Sequence, residues 1–508
     1  MTKLPELKSK KHRLVKNSIY GLLSWLFPML PTIVVTPIVV KGLGNESYGL
    51  YVVIVGFVSY FFTFGIGKAA AKYVAEYRST GESDKIPDII SSTILVSFLL
   101  GFAGTALVAI FARIIVTNVL LVAPTLQDIA VIALYLACLN ILISMVGSIF
   151  QFVLQGIQRF DRFLLLTNLT SLLLSVGSVV LILSGYGVIS LMVLTVAVAA
   201  AMGFLSYGMA KILLPKIKLK LRVNREALGA VWRYAASIMA HQIFGNLLLL
   251  FERGWIVRKF GTGALTFYAV PMMLGMYIHL FTSSLVLALF PTINELLTQK
   301  DKLVKLYQTA TKLILSLVVF AALSAVVCGR LFFELWLNDE FARLSYWLLV
   351  IHVFTFAVVS MNTIVWQIAD SYRKAWINTL ATFFWMLIAI PLMIILSNQW
   401  LSEGVAFARL IGVFVFVPLI LYVEKNFLGG ILWKFWITSS TKIAFSGLLA
   451  FLAEGMIISQ FRASWSTFLI AIPAGFVVYC GTLFISGFME PDEERFIKNT
   501  VRSIAANV

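Results

Sequence analysis

The polar side chains with the most informative spacing lie between residues 241 and 253. At about 100° per residue, His241, Gly245 and Glu252 fall within about 40° of one another on a helix. Gln242, Asn246 and Arg253 form a second row on the adjacent face. Such a stripe offers positive charge and hydrogen bonds to an anionic or hydroxylated ligand, and His241 or Glu252 could carry a proton. In a helix this apolar, polar groups normally face a bundle interior or a water-filled cavity. The competing reading puts Glu252 and Arg253, near Arg258 and Lys259, at an interface to which they snorkel.

Other polar groups keep helical spacing. Asn17, Tyr20, Ser24, Pro28 and Pro31 share one side of a stretch. Tyr268, Pro271, Gly275, His279 and Thr282 share another stripe. Lys68 and Lys72 stand at i and i+4. Arg409 sits roughly 10 Å inside an apolar run, by helical rise, and needs a partner or water there. Each has a plainer alternative: a proline-bent packing helix, a hydrogen-bonded structural histidine, two anchoring lysines, a structural ion pair. Glu454 reads as interfacial. Cys138, Cys328 and Cys480 lie far apart without metal or disulfide spacing and read as small core residues. The four histidines form no HExxH pair, so neither metal nor other cofactor is expected.

The elements that position these groups are membrane helices. Sixty per cent of the 508 residues are hydrophobic and 12% are charged, against about 25% charged in a soluble domain. Runs such as 94–110, 313–327 and 376–396 approach the roughly 20 residues needed to cross about 30 Å of hydrocarbon. The spans read as 17–40, 48–67, 88–112, 124–153, 163–184, 187–213, 234–257, 264–292, 309–329, 343–369, 375–396, 402–423, 435–457 and 465–488. The first is long, holds Pro28, Pro31 and Pro37, and lacks a small-residue cleavage site, so it reads as a retained helix kinked by its prolines.

An even span count puts both termini on one side, and basic residues say which. Alternate segments, beginning with the N-terminus, hold 31 of the 40 Lys and Arg, while the opposite loops hold 8 and Arg409 lies within a span. That asymmetry marks the first set as cytoplasmic. It also accounts for the net charge of +17 without nucleic acid, because basic loops lie against anionic membrane lipids.

Residues 215–223 alternate basic and apolar side chains, and an amphipathic stretch follows from Asn224, a candidate N-cap, to Arg233. The two sides of this connector resemble each other. Gly44–Tyr51 parallels Gly261–Tyr268, and Gly187-Val188 parallels Gly404-Val405, both at an offset of 217. Val153, Gln155, Phe160 and Arg162 parallel Val365, Gln367, Tyr372 and Lys374 at 212. Six spans per half point both copies the same way, as in transporters whose site lies between two rocking lobes. The expected fold is therefore an all-α integral membrane protein of about fourteen transmembrane helices, two six-helix lobes in parallel pseudo-repeat plus two C-terminal helices. Its parts are an N-terminal lobe (1–213), a connector (214–233), a C-terminal lobe (234–425), two further spans (426–489) and an amphipathic tail (490–508) that places Ile497, Val501, Ile504 and Val508 on one face.

The stretches Lys41–Tyr51, Phe64–Gly67 and Lys72–Ala75 resemble the opening signature of the polysaccharide transporter family. Glu252-Arg253, Phe260-Gly261, Tyr268, Leu335–Phe341 and Gln367–Asp370 resemble its later segments. These are the oligosaccharide-lipid flippases of the superfamily that also holds multidrug-and-toxin exporters and lipid II flippases. The resemblance implies an inner (cytoplasmic) membrane protein that moves an undecaprenyl-diphosphate-linked oligosaccharide to the outer leaflet through a basic cavity by alternating access. It makes Arg253, Lys68, Lys72, His241, Gln242, Asn246, Arg409, Asn17 and Ser24 candidate cargo contacts, and Glu252 and His279 candidates for ion coupling. Polysaccharide polymerase or glycosyltransferases are candidate partners, and a monomer is expected. The first two spans depart from the lipid II flippases, which carry several arginines there; this chain has only Lys68 and Lys72. The two extra C-terminal spans would guide the lipid tails, by analogy with those flippases.

Rival readings are a lipid II flippase or an ion-coupled multidrug exporter on the same fold, and a membrane enzyme. The exporters use an acid within the N-terminal lobe, and spans one to six hold no deep carboxylate. The longest outer loop, about Arg330–Ala342, holds Glu334, Asp339 and Glu340 with no histidine or ligand cluster, and no Walker A motif occurs. An enzyme is not expected.

Overall fold

A computed structural model describes residues 27–62, 66–215, 224–287 and 289–489; the side chains of 58–62, 234–241, 287 and 291 lie outside that description. The described residues are almost all helical and contain no strand. In chain order the principal helices are α1 (Phe27–Leu43), α2 (Asn45–Phe62), α3 (Gly67–Ser79), α4 (Ile86–Ile110), α5 (Gln127–Gly156), α6 (Phe160–Leu183), α7 (Val188–Leu213) and α8 (Arg225–Phe260). There follow α9 (Thr262–Leu287), α10 (Lys300–Trp336), α11 (Asp339–Met361), α12 (Thr363–Ser371), α13 (Ala375–Val413), α14 (Phe416–Val423), α15 (Trp433–Gln460) and α16 (Trp465–Ile485). Ten helical stretches among the described residues are long and apolar enough to cross a membrane, and where the expected spans fall on described residues they are predominantly helical. One of the ten, Ala375–Leu428, covers two expected spans and breaks where Leu401 takes φ 47°.

Local sequence explains the helix ends. Asn224 accepts a hydrogen bond from the Glu226 amide at 2.9 Å, Asn338 from Phe341 at 2.8 Å and Ser464 from Thr467 at 3.2 Å. Each fills one of the four orphan donors at a helix start. Within the helices, hydroxyls such as Thr36, Thr93 and Ser206 bond carbonyls four residues back, which hides them from hydrocarbon.

Several expectations need correction. The stretch 224–233 is no separate surface helix but the first turns of α8, which runs unbroken for 36 residues. The Arg330–Ala342 loop does not exist as a loop: α10 persists to Trp336 and α11 begins at Asp339 under the Asn338 cap. Glu454 is buried, not interfacial, and Cys480 is exposed, not core. Helix α1 is assigned as one helix through Pro31 and Pro37, with Thr32 Oγ1 bonding the Pro28 carbonyl at 2.9 Å. Residues 216–223 of the connector and the tail from 490 fall outside the described residues.

The repeat is visible in the turns. Gly44 and Gly261, 217 residues apart, both take positive φ (77° and 86°) between successive helices. Gln158 and Arg373 are left-handed at φ 60° and 59°, and the same three backbone bonds surround each. The amides of Ile157, Gln158 and Arg159 bond Val153, Gln155 and Leu154; those of Tyr372, Arg373 and Lys374 bond Ile368, Asp370 and Ala369. The structural offset at this turn is thus 215, three more than the sequence match suggests.

The chain packs as two units, one from the described residues up to Ala269 with Thr382–Val405, the other from Val270–Ala381 with the described residues from Ala406. In the first, α4, α5, α6 and α7 surround a core of Ile90, Ile149, Phe150, Leu154 and Leu166. Close crossings use glycine, as membrane helices do: a Cβ on Gly147 would lie 3.0 Å from the Gly203 Cα. In the second, α15 and α16 pack on α10 around Leu315, Ile443, Ala450 and Tyr479, and Tyr479 donates to the Ser316 carbonyl at 3.0 Å.

Candidate functional site

Helix α8 carries the polar stripe. Glu252 is fully buried and accepts a hydrogen bond from the hydroxyl of Tyr268, itself fully buried on α9. The Gly261 turn brings the two together by folding α9 back along α8; at φ 86° it favours a residue without Cβ. Arg253 is half-buried and donates Nη1 to the Val52 carbonyl of α2 at 3.3 Å. Further along, Trp255 Nε1 donates to Ser397 Oγ at 3.1 Å and Lys259 Nζ to the same oxygen at 2.9 Å. Lys259 also donates to Asn398, and Arg258 donates to the carbonyls of Asn118 and Val119 at 2.7 and 3.0 Å. This end of α8 is tied to α2, to α13 and to the turn after α4. The open reading of Glu252 and Arg253 therefore resolves toward burial, with protein groups as partners in this state.

Deeper in α8, Gln242 and Asn246 are half-buried. Gln242 Oε1 is buried without a hydrogen-bond partner among the described residues, and Gly245 leaves the backbone open between them and Thr382. The His241 side chain, Asn17 and Ser24 lie outside the described residues.

The first turns of α2 and α9 meet beside this stripe. Thr266 Oγ1 donates to the Asn45 carbonyl at 2.6 Å. A Cβ on Gly49 would collide with the Thr262 carbonyl oxygen, and one on Gly263 would lie 3.6 Å from Glu46 Cγ. These pairs obey the 217-residue offset: Asn45 corresponds to Thr262, Glu46 to Gly263 and Gly49 to Thr266. Residue 49 touches the mate of 45, residue 266 touches 45, and positions 46 and 263 face each other. That reciprocity is the signature of a two-fold contact, here formed within one chain.

Lys68 and Lys72 are exposed on α3, opposite its buried Ala69, Ala70 and Val74; Lys72 Nζ lies 4.5 Å over the Tyr73 ring. The other two candidates belong to the second unit. His279 faces Ser360 and Ser283 hydroxyls at 3.3 Å between the Phe356 and Trp366 rings. Arg409 is buried, with its guanidinium 5.6 Å from the Phe356 ring centroid.

Two buried carboxylates of the second unit were not singled out as site residues. Glu424 accepts from Tyr307, Trp436 Nε1 and the Leu432 amide at 2.8, 2.7 and 3.0 Å, pinning α10 and α15 to the end of α14. Glu454 accepts from Ser324 at 2.7 Å and faces Cys328 Sγ at 3.6 Å. The signal for both was an acid within or beside an apolar run; Tyr307 lies 117 residues from Glu424, and Ser324 and Cys328 lie 130 and 126 from Glu454.

A multi-pass, all-α membrane bundle with repeat-related helices and a polar interior stripe is a membrane transporter fold. Residues 14–297 match the model of the family described as "Polysaccharide biosynthesis protein", more than half of the chain, and the chain belongs to that family. A Shigella flexneri protein named "Putative O-antigen transporter" is 19% identical over 382 residues, covering 72% of this chain and 87% of that protein. Among solved structures, the lipid II flippase MurJ in an inward closed conformation superposes with a TM-score of 0.69 at 15% identity, over 93% of this chain and 98% of that one. An inward-facing multidrug resistance MATE family transporter of the MOP superfamily also gives 0.69 at 15% identity, over 80% of this chain and 98% of its own.

Proposed function

We propose that this protein is a flippase that carries an undecaprenyl-diphosphate-linked oligosaccharide from the cytoplasmic to the outer leaflet of the inner membrane, for cell-surface polysaccharide synthesis. The two-fold contact between α2 and α9 carries this reading. Repeat-related helices that touch through glycine, one hydroxyl bond and backbone form a closure that can part without stranding a large apolar surface, as alternating access requires. The proposed lobes are 1–213 and 234–425, with both termini cytoplasmic and the contact on the outer side; in this state the residues of the contact all belong to the first compact unit. Arg253, Gln242 and Asn246 then wall the cargo passage, and His241, Asn17 and Ser24 are the further cargo contacts expected from the sequence. Lys68 and Lys72 receive the diphosphate from the cytoplasmic side, and Arg409 contacts the headgroup from the C-terminal lobe. Glu252 and His279 are the coupling candidates.

The C-terminal helices favour a lipid cargo over a multidrug exporter's. Between α10 and α16 lies an apolar slot of about 500 Å³, lined by Leu313, Leu317, Phe320, Phe476 and Leu483 among others, with Lys312 Nζ 5.7 Å from the Phe488 ring centroid. A prenyl chain fits such a slot. The test is a cross-link between Asn45→Cys and Thr266→Cys in protein reconstituted with the lipid-linked oligosaccharide. Locking the contact should stop delivery to the outer leaflet, and reduction should restore it. Full delivery by the locked protein would refute alternating access at this contact.

A further inference from the structure

A second apolar slot, of about 670 Å³, opens on the flank of α4, α5 and α7. Its walls are Phe98 of α4, Val146 and Phe150 of α5, and Ala200, Phe204 and Tyr207 of α7. None comes from α1, α2, α8 or α9, which wall the proposed cargo passage. Gly147 and Gly203 line it where α5 and α7 cross, a Cβ on Gly147 lying 3.0 Å from the Gly203 Cα. Phe204 and Phe98 stand exposed at its mouth, 77% and 43% accessible.

The slot ends on polar groups. Ala200, Phe204, Tyr207 and Lys211 follow one another at i, i+4, i+7 and i+11 along one face of α7. Tyr207 packs edge-on against Phe150, ring centroids 5.1 Å apart. Exposed Lys211 holds Nζ 5.8 Å from the Tyr207 ring centroid. The Tyr207 hydroxyl has no hydrogen-bond partner among the described residues. Lys211 lies two residues before the end of α7, within roughly 3 Å of the helix end, whereas the slot lies deeper. An apolar slot thus leads up to one cation and one free hydroxyl at headgroup depth.

We propose that this slot binds an anionic glycerophospholipid of the cytoplasmic leaflet, one acyl chain in the groove and its phosphodiester on Lys211 and the Tyr207 hydroxyl. One lysine balances the single charge of a phosphodiester; a prenyl diphosphate carries more and would leave charge uncompensated. That Lys211 faces the cytoplasm rests on the topology proposed above, but binding itself does not.

The test is native mass spectrometry of the full chain from micelles containing phosphatidylglycerol or phosphatidylcholine. The wild type should retain phosphatidylglycerol in preference. Lys211→Gln should weaken retention roughly fivefold, the scale for one basic residue at a membrane surface, and Ala200→Phe should abolish it by filling the slot. Equal retention of both lipids, or undiminished phosphatidylglycerol in Lys211→Gln, would overturn the proposal, as would displacement of that lipid by a prenyl diphosphate. Oligosaccharide delivery by Lys211→Gln, measured in parallel, reports separately on the flippase reading.

Discussion

Gly49→Ala strikes the α2–α9 contact at its tightest point. The added methyl would collide with the Thr262 carbonyl and lie 3.0 Å from Thr266 Oγ1, and the first of these neighbours is backbone that cannot rotate away. Overpacking of this kind costs about 1–3 kcal/mol, and separating Thr266 from the Asn45 carbonyl forfeits about 1 kcal/mol more. If the contact exists only while the outer side is closed, the whole penalty of about 2–4 kcal/mol falls on that state. At 1.36 kcal/mol per decade, the closed-to-open ratio should drop roughly 30- to 1000-fold. Thr266→Cys supplies the probe, because Thr266 is fully buried in the closed contact. The cysteine already lacks the hydroxyl bond, so in this background only the overpacking penalty of about 1–3 kcal/mol applies, and labelling by a membrane-impermeant maleimide from the outer side should rise roughly fivefold or more when Gly49→Ala is added. Equal labelling in correctly inserted protein would show that the contact does not open, and the closure argument would fail with it.

Arg253→Ala should reduce surface polysaccharide without loss of membrane insertion; normal polymer levels would remove Arg253 from the passage. Glu424→Ala leaves the Tyr307 hydroxyl, the Trp436 indole and the Leu432 amide without an acceptor, at about 1–3 kcal/mol for each buried group. Its unfolding temperature in detergent should fall well below that of Glu424→Gln, and matching transitions would contradict this. Gly475→Ala drives a Cβ into the Glu454 carboxyl and should cost about 1–3 kcal/mol. Adding Glu454→Ala should recover part of that loss, whereas strictly additive penalties would mean the two sites do not meet.

Span positions were legible because hydrophobicity is local: each apolar run carries its own evidence of crossing. The Gly44 and Gly261 turns were legible for a similar reason, since glycine at positive φ leaves a mark in the sequence. Gln158 and Arg373 leave none, as no glycine flags their left-handed backbone, so the match at this turn drifted by three residues. The Asn338 cap followed by Asp339 and Glu340 was a readable helix start, yet charge alone made the segment look like a loop. Glu454 stands close to a helix end in sequence yet is buried, because Ser324 and Cys328 pack against it. Its partners sit on α10, whose 37 residues extend roughly 55 Å, beyond the 40–45 Å of a bilayer with its headgroups. The Tyr268–Glu252 bond depends on how α9 folds back at Gly261, which no helical wheel drawn for one element can contain.

The contact across the internal two-fold is reciprocal in position but not in chemistry. Where one copy presents Gly49 the other presents Thr266, so one supplies room for a carbonyl and the other supplies a hydroxyl bond. A dimer of identical halves would have to place the same residue on both sides, gaining clearance twice or hydrogen bonding twice, never one of each. Covalent fusion frees the two copies to specialise, so a protein rebuilt from a duplicated single half would inherit the outline of this closure and lose its balance of strength and release.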